Sequence, residues 1–312
     1  IRFARDTDAD GKPIIRAEGT TLGADNGMGV SLALAAATSP DVKHGPLELL
    51  LTIDEEMGMT GAKALRSDFF KGKIFLNLDT EEDDGLCIGC AGGCDTTISW
   101  ALPVAAPHGT GDAVRVTVTG LLGGHSGCDI HLNRGNANRV LARVLRGASS
   151  GTVQLAEFLG GSKRNAIPRE GEAVVVGPTG TLQAMRQAAE VIQAEIRGVG
   201  IEKNCKIEVV PVDMPKVTLS SADTSKILAA ITALPCGVLA TVPEIPGLVM
   251  TSNNVSIVTS GIEGDTMSVE IACLSRSSSK PQIDDVIRKL HALAGRSEER
   301  RAGKECRSRW SP

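Results

Sequence analysis

The chain has 312 residues and a net charge of −4, with 42% hydrophobic and 22% charged residues, the balance of a soluble globular protein long enough for two domains. The negative balance, and an aromatic content of 2% with no tyrosine, argue against the basic, base-stacking surface of a nucleic-acid partner. No run of about 18 apolar residues occurs, so no membrane partner is expected, and the cysteines lack the spacing of a disulfide framework, which points to a reducing cytoplasmic setting.

In chain order, residues 26–38 (NGMGVSLALAAAT) are rich in Ala and Leu and read as a helix. Residues 47–53 (LELLLTI) and 73–78 (KIFLNL) are near-continuous apolar runs, as expected of strands buried on both faces of a parallel sheet. Residues 61–70 between them have helical spacing. Such alternation predicts an α/β domain with a mostly parallel sheet over residues 1–96. Cys87, Cys90 and Cys94 come next as C-x2-C-x3-C, but they stand among Gly and Ala, and close packing is the preferred reading over a metal or cluster site.

The pattern then changes. Strands with clearer alternation are predicted at 113–119 (AVRVTVT), 172–176 (EAVVV), 206–210 (KIEVV) and 266–274 (TMSVEIACL), with helices at 136–146, 181–197, 224–233 and 282–294. This order predicts an α+β domain with an antiparallel sheet over residues 97–295, entered through the Gly- and Pro-bearing stretch at 103–111. Residues 296–312 (RSEERRAGKECRSRWSP) are charged and aperiodic. They resemble the in-frame translation of a common DNA sequencing adapter and are expected to stand outside the fold.

Three acidic features each sit beside one of these elements. Asp25 precedes the first helix, Asp54-Glu55-Glu56 comes after the first apolar run, and Asp79 ends the second. Singly, each reads equally as a helix cap or a solvated turn. Together, carboxylates at neighbouring strand ends converge and repel unless a cation or proton intervenes, and a divalent metal answers that need. Adjacent glutamates also divide labour, one as ligand and one as base. Zinc further favours imidazole. None of the five histidines (His44, His108, His125, His131, His291) has a short ligand spacing with the acids, so spacing alone gives an incomplete metal site.

The runs Gly19-Thr20-Thr21-Leu22-Gly23-Ala24-Asp25-Asn26-Gly27, Glu55-Glu56-Met57-Gly58-Met59 and Asn77-Leu78-Asp79-Thr80-Glu81-Glu82 resemble those of the aminoacyl-histidine dipeptidase family, also called Xaa-His or cytosol non-specific dipeptidases. The resemblance continues through Gly123-Gly124-His125-Ser126-Gly127, Gly135-Asn136-Ala137-Asn138 and Arg164-Asn165-Ala166-Ile167-Pro168, and covers residues 16–295.

The resemblance implies a di-zinc metallopeptidase, with Mn2+ or Co2+ as alternative metals. It also implies roles for the matching residues. Asp25 would bridge the two ions, Glu56 would bind one and Asp79 the other, while Glu55 would be the general base. A cis peptide would stand between Asp25 and Asn26. Residues 1–96 would be the N-terminal part of the zinc peptidase catalytic domain, and 97–295 a lid and dimerisation domain forming a homodimer. His125 would stabilise the oxyanion of a neighbouring site. Arg164, Asn165 and Arg276 would bind the dipeptide substrate, Arg276 through its carboxylate. The family's first zinc histidine lies in a His-x-Asp motif upstream of Gly19 and its last beyond residue 295. This chain is therefore expected to be a fragment lacking both ends and inactive as written. The alternatives are an amidohydrolase or deacylase of the same clan, and a non-catalytic lid module.

Overall fold

The chain divides into two compact units in this computed structural model, Ile1–Cys87 and Ile88–Pro312. The structure describes residues 1–20, 22–55, 59–79, 85, 90–148, 152–294 and 301–305.

The first unit opens with an antiparallel hairpin of β1 (Phe3–Thr7) and β2 (Pro13–Ala17). Its turn is set by Asp8, whose Oδ1 accepts the amides of Asp10 (3.0 Å) and Lys12 (2.8 Å). Helix α1 (Gly27–Thr38) is capped by Asn26, whose side chain accepts the Gly29 amide at 3.0 Å. Helix α2 (Thr60–Lys63) is a single turn, shorter than the helical spacing of 61–70 predicts.

The expected parallel sheet is not formed among the described residues: 47–53 and 73–78 are not strands. Their apolar side chains stay open to solvent, with Ile53 75% and Ile74 86% exposed. A parallel strand is stable when covered on both faces by helices and flanked by other strands. The described part of this unit offers only α1 and α2 for that purpose.

The second unit is built on a sheet of nine strands, all its pairings antiparallel. In chain order its elements are β3 (Gly92–Pro103), β4 (Asp112–Thr119), β5 (Gly124–His125), a 3-10 turn (Ile130–Leu132), α3 (Ala137–Gly147), β6 (Gln154–Gly160), β7 (Ala166–Ile167), β8 (Gly171–Gly177), α4 (Thr181–Gly198) and β9 (Lys206–Pro211). Then come α5 (Ser221–Ala233), β10 (Gly237–Thr241), β11 (Val249–Glu263), β12 (Thr266–Ser277), α6 (Lys280–Ala294) and β13 (Arg301–Glu305). The sheet order is β13-β3-β12-β11-β6-β8-β4-β9, with β10 on β11. The two halves meet through a short pairing of β11 with β6, at Val258↔Gly160 and Thr259↔Leu159. The small β5–β7 ladder stands apart and carries His125.

One continuous core joins both halves. Ile98 and Trp100 of β3, Val114 and Val116 of β4, Leu155 and Phe158 of β6 and Ile271 of β12 share it with Leu141, Met185, Ile227 and Leu290 from the helices. Helix α6 shows how: Val286, Leu290 and Ala294 recur at helical spacing and enter this core, while Ile283 and Ile287 are buried against Cys94. No helix of the described residues is long and apolar enough to cross a membrane.

Residues 92–96, expected in the first domain, lie in β3, because that strand pairs with β12 along its whole length, from Gly92↔Ser277 to Pro103↔Thr266. The segment 296–312, expected to stand outside the fold, contributes β13, which pairs with β3 from Arg301↔Ser99 to Glu305↔Asp95. An open sheet edge offers unpaired amides and carbonyls to any extended backbone, so such pairing asks little of the sequence.

Candidate functional site

In the first unit Asp25 and Glu55 sit on turns, and Asp79 in a segment without regular structure. The Asp25–Asn26 peptide is cis, as the resemblance implies. A methyl group on Gly29 would meet the Asn26 side chain and, at 2.7 Å, the Leu78 carbonyl. The segment that ends at Asp79 therefore lies against the first turn of α1, directly after Asp25. Glu55 lies in a turn closed by the Met59 amide on the carbonyls of Asp54 (2.8 Å) and Glu55 (3.1 Å). Asp54 has a positive φ of 63°, and its Oδ2 accepts the Thr60 hydroxyl at 2.6 Å.

Glu56 lies outside the described residues. Among the described residues no three His, Cys, Asp or Glu side chains gather into a group able to hold a metal. The described candidates Asp25, Glu55 and Asp79 are carboxylates without an imidazole; His44, the histidine of this unit, turns its Nδ1 to the Gly45 carbonyl at 2.7 Å. By themselves these donors do not fit zinc, which favours nitrogen or sulfur beside oxygen. Cys94 is buried with Ile283 and Ile287, in keeping with close packing.

The second unit gathers the other candidates at one end of its sheet. His125 pairs with Ala166 across β5–β7, and the Ser126 amide donates to the Asn165 carbonyl at 2.7 Å. This ties the His125 turn to the Arg164-Asn165 turn through backbone. Gly124 has φ +134°, and a methyl there would meet the Asp129 Oδ2 at 2.6 Å, so only glycine lets the turn close. Asp129 holds the turn from below: it accepts the His125 amide at 2.8 Å and pairs with Arg134 at 3.4 Å, which itself donates to the Gly123 carbonyl at 2.7 Å.

These contacts fix the state of the imidazole. His125 Nδ1 accepts the amides of Gly127 (3.3 Å) and Cys128 (3.1 Å). A nitrogen that accepts carries no proton, so the neutral ring bears its hydrogen on Nε2. Burial lowers the His125 pKa from its ordinary value, the charge of Arg276 lowers it further, and Asp129 opposes both. The ring is thus a neutral donor with its N–H on Nε2, held in a fixed frame.

Arg276, on β12 opposite Gly93, lies beside it: a methyl on Gly127 would meet His125 Cε1 at 3.0 Å and Arg276 Nε at 3.2 Å. Burial lowers the Arg276 pKa, while Cys128, Asp95 and Cys90 nearby raise it. Its Nε is buried and has no hydrogen-bond partner among the described residues, the mark of a donor awaiting an acceptor. Arg164 reaches the same corner, with Nη1 3.7 Å from Asp95 Oδ1 and Nη2 donating to Thr97 Oγ1 at 3.1 Å. Two guanidinium groups, one of them paired with Asp95, and a neutral N–H donor leave one net positive charge in this corner, which suits an anionic group.

Residues 116–203 match the peptidase dimerisation domain. Over 287 residues the chain is 37% identical to the cytosol non-specific dipeptidase of Escherichia coli (strain K12), covering 90% of this chain and 58% of that protein. The solved aminoacylhistidine dipeptidase of Vibrio alginolyticus superposes with a TM-score of 0.76 at 36% identity, over 97% of this chain and 61% of that one. The resemblance to the aminoacyl-histidine dipeptidase family holds. The chain spans about three-fifths of the length of these relatives.

Sequence reasoning missed the residues that hold the His125 corner in place. Asn254 donates to the Ala166 carbonyl at 2.7 Å, and Ser256 to the Arg164 carbonyl at 2.6 Å, both from the buried middle of β11. Glu202, 4% exposed, accepts the amides of Leu122 (2.9 Å) and Gly135 (2.6 Å), clamping both ends of the loop that carries His125. The available signal was the run Ser252-Asn253-Asn254-Val255-Ser256, too polar for a core strand unless its groups have buried partners.

Proposed function

We propose that this chain serves the metal-dependent hydrolysis of dipeptides, Xaa-His and others, as part of a homodimer formed through the second unit. The carrying observation is the His125 ring, held as an Nε2–H donor by two amides beside a buried Arg276 Nε that has no partner among the described residues. The likeness to dipeptidases over 90% of the chain supports the same reading.

In this reading Arg276, with Arg164 and Asn165, binds the dipeptide carboxylate and orients the scissile carbonyl. His125 donates from Nε2 to the oxygen of that carbonyl as it becomes an oxyanion. It acts on the partner subunit's site. Glu55 takes the proton of the attacking water and returns it to the leaving amine. Zinc, or Mn2+ or Co2+, would lower the pKa of that water when bound, and Asp25, Glu56 and Asp79 are the residues assigned to it. The described carboxylates alone do not make such a site, so the 312-residue chain by itself is expected to bind zinc weakly and hydrolyse little.

The test is a dipeptide panel on an enzyme of the relatives' full length built around this chain. His125→Ala should lower kcat by about 10²–10³ with zinc content unchanged. Loss of zinc would make His125 a ligand, and unchanged kcat would leave it a turn residue; either result ends the oxyanion reading.

A further inference from the structure

Behind the His125 turn the second unit holds a cavity of about 390 Å3 that has no part in the proposed hydrolysis. Its lining has an aliphatic side of Ile130, Val140, Ile167 and Ile196, with the buried amides Asn136 and Asn254 beside it. Its rim carries Arg134, Arg139 and Arg143. That size, with aliphatic side chains set beside convergent polar groups, is that of small-molecule sites, roughly 300–1,000 Å3.

The charges decide what kind of molecule fits. Arg134 is neutralised by Asp129 at 3.4 Å, and Arg143 by Glu195. Arg139, half-buried on the first turn of α3, meets only the Thr232 carbonyl, at 3.4 Å, and faces no carboxylate among the described residues. A guanidinium carries five donors, so most of its capacity is unused. One unneutralised cation beside these aliphatic side chains suits a monoanion with an apolar body. A phosphate dianion would find one excess positive charge for its two negative ones.

We propose that this cavity is a binding site for a small aliphatic carboxylate, of the class of an N-blocked branched-chain amino acid, with its carboxylate on Arg139 and its side chain on the isoleucines. The site does not depend on the dipeptidase reading. It does adjoin the His125 corner: Ile167 pairs with Gly124, Ile130 and Arg134 belong to the loop after His125, and Asn254, also in the wall, holds the Ala166 carbonyl. An occupant therefore touches both segments that fix the imidazole.

Cys236 lines the cavity and is partly exposed, its Sγ accepting from Asn136 Nδ2 at 3.6 Å, so it reports occupancy without mutation. On the 312-residue chain, N-acetyl-leucine should bind saturably by calorimetry and slow alkylation of Cys236, read by peptide mass spectrometry. N-acetyl-leucine amide should bind about 10- to 100-fold more weakly, the loss for one charge-assisted contact, and inorganic phosphate should not compete. Arg139→Gln should weaken the acid by a similar factor and leave the amide unchanged, Arg139→Lys should fall between, and Arg146→Gln, on the same helix but outside the cavity, should change nothing. Equal protection of Cys236 by acid and amide in the unmutated chain, no protection at all, tighter binding of phosphate, or full affinity in Arg139→Gln would each overturn the site.

Discussion

The two units use the same kind of aliphatic residue to opposite effect. In the second, Phe158, Leu141 and Met185 are 0% exposed, whereas in the first Ile53 and Ile74 stand 75% and 86% exposed. The difference is not local hydrophobicity, since residues 47–53 are as apolar as any strand of the second unit. It lies in what each strand needs. An antiparallel strand with one covered face finds its neighbour across a turn, as β11 finds β12. A parallel strand buried on both faces needs crossover helices and partners on either side before any of its surface is removed from water.

The largest expected effect tests that contrast. Phe158→Ala should destabilise the second unit by about 3–5 kcal/mol, as for other large core aromatics. Leu51→Ala, in a side chain 58% exposed, should change stability by about 0.5 kcal/mol or less. Urea unfolding of both variants, with hydrogen exchange to locate the change, separates them. A Leu51→Ala cost approaching that of Phe158→Ala would mean that the first unit buries its apolar runs in solution.

Legibility fell along the same division. The alternation in 113–119, 172–176, 206–210 and 266–274 matches β4, β8, β9 and β12, and the amphipathic periods match α3, α4, α5 and α6. Strand β3 escaped because its inward positions begin with Gly92 and include Thr96, which carry little apolar signal, and β11 escaped because it breaks alternation, its inward positions including Asn254 and Ser256. Those polar residues are buried to hold the Arg164-Asn165 turn, so the signal that hid the strand also marked the site. His125, Arg164, Asn165 and Arg276 were named from motif resemblance, and nothing in their spacing along the chain shows that they share one corner. Glu202 lay beyond reach, since its partners Leu122 and Gly135 stand 80 and 67 residues away.

Glu202 sharpens the comparison at the next scale. Its carboxylate stands in the second unit's interior because two amides meet it, whereas Asp25, Glu55 and Asp79 of the first unit are exposed. Glu202→Ala should cost about 1.5–3 kcal/mol, the usual range for bonds to a charged group, and should broaden the amide signals of residues 122–135 in NMR spectra. A cost near zero with an unchanged His125 turn would remove its role as a clamp. Gly124→Ala acts on the same loop from its middle. It combines a φ of +134° with a contact to Asp129, and should cost about 1–3 kcal/mol while lowering the protection of the Ser126 amide. Retained protection would mean that the turn accepts another backbone path.

The smallest effect is the most specific to the candidate site. Burial and the Arg276 charge depress the His125 pKa below its ordinary 6.5. The folded chain then binds fewer protons at this ring than the unfolded chain, so the His125 contribution to stability is complete above about pH 6.5 and is lost as the pH falls through the depressed value. The loss should be slight, because the ring is partly exposed and water screens the added charge. Protonation would also place a hydrogen on Nδ1, against the amides of Gly127 and Cys128 that it now accepts. Nitrogen NMR of the ring should therefore find Nδ1 bare and Nε2 protonated at pH 7, with a midpoint under 6.5, and the Gly127 and Cys128 amides should shift in step with it. His125→Gln should abolish that pH dependence of the amides. A midpoint above 6.5, or a proton on Nδ1 at pH 7, would mean that the two amides do not set the tautomer, and the Nε2–H donor would lose its structural basis.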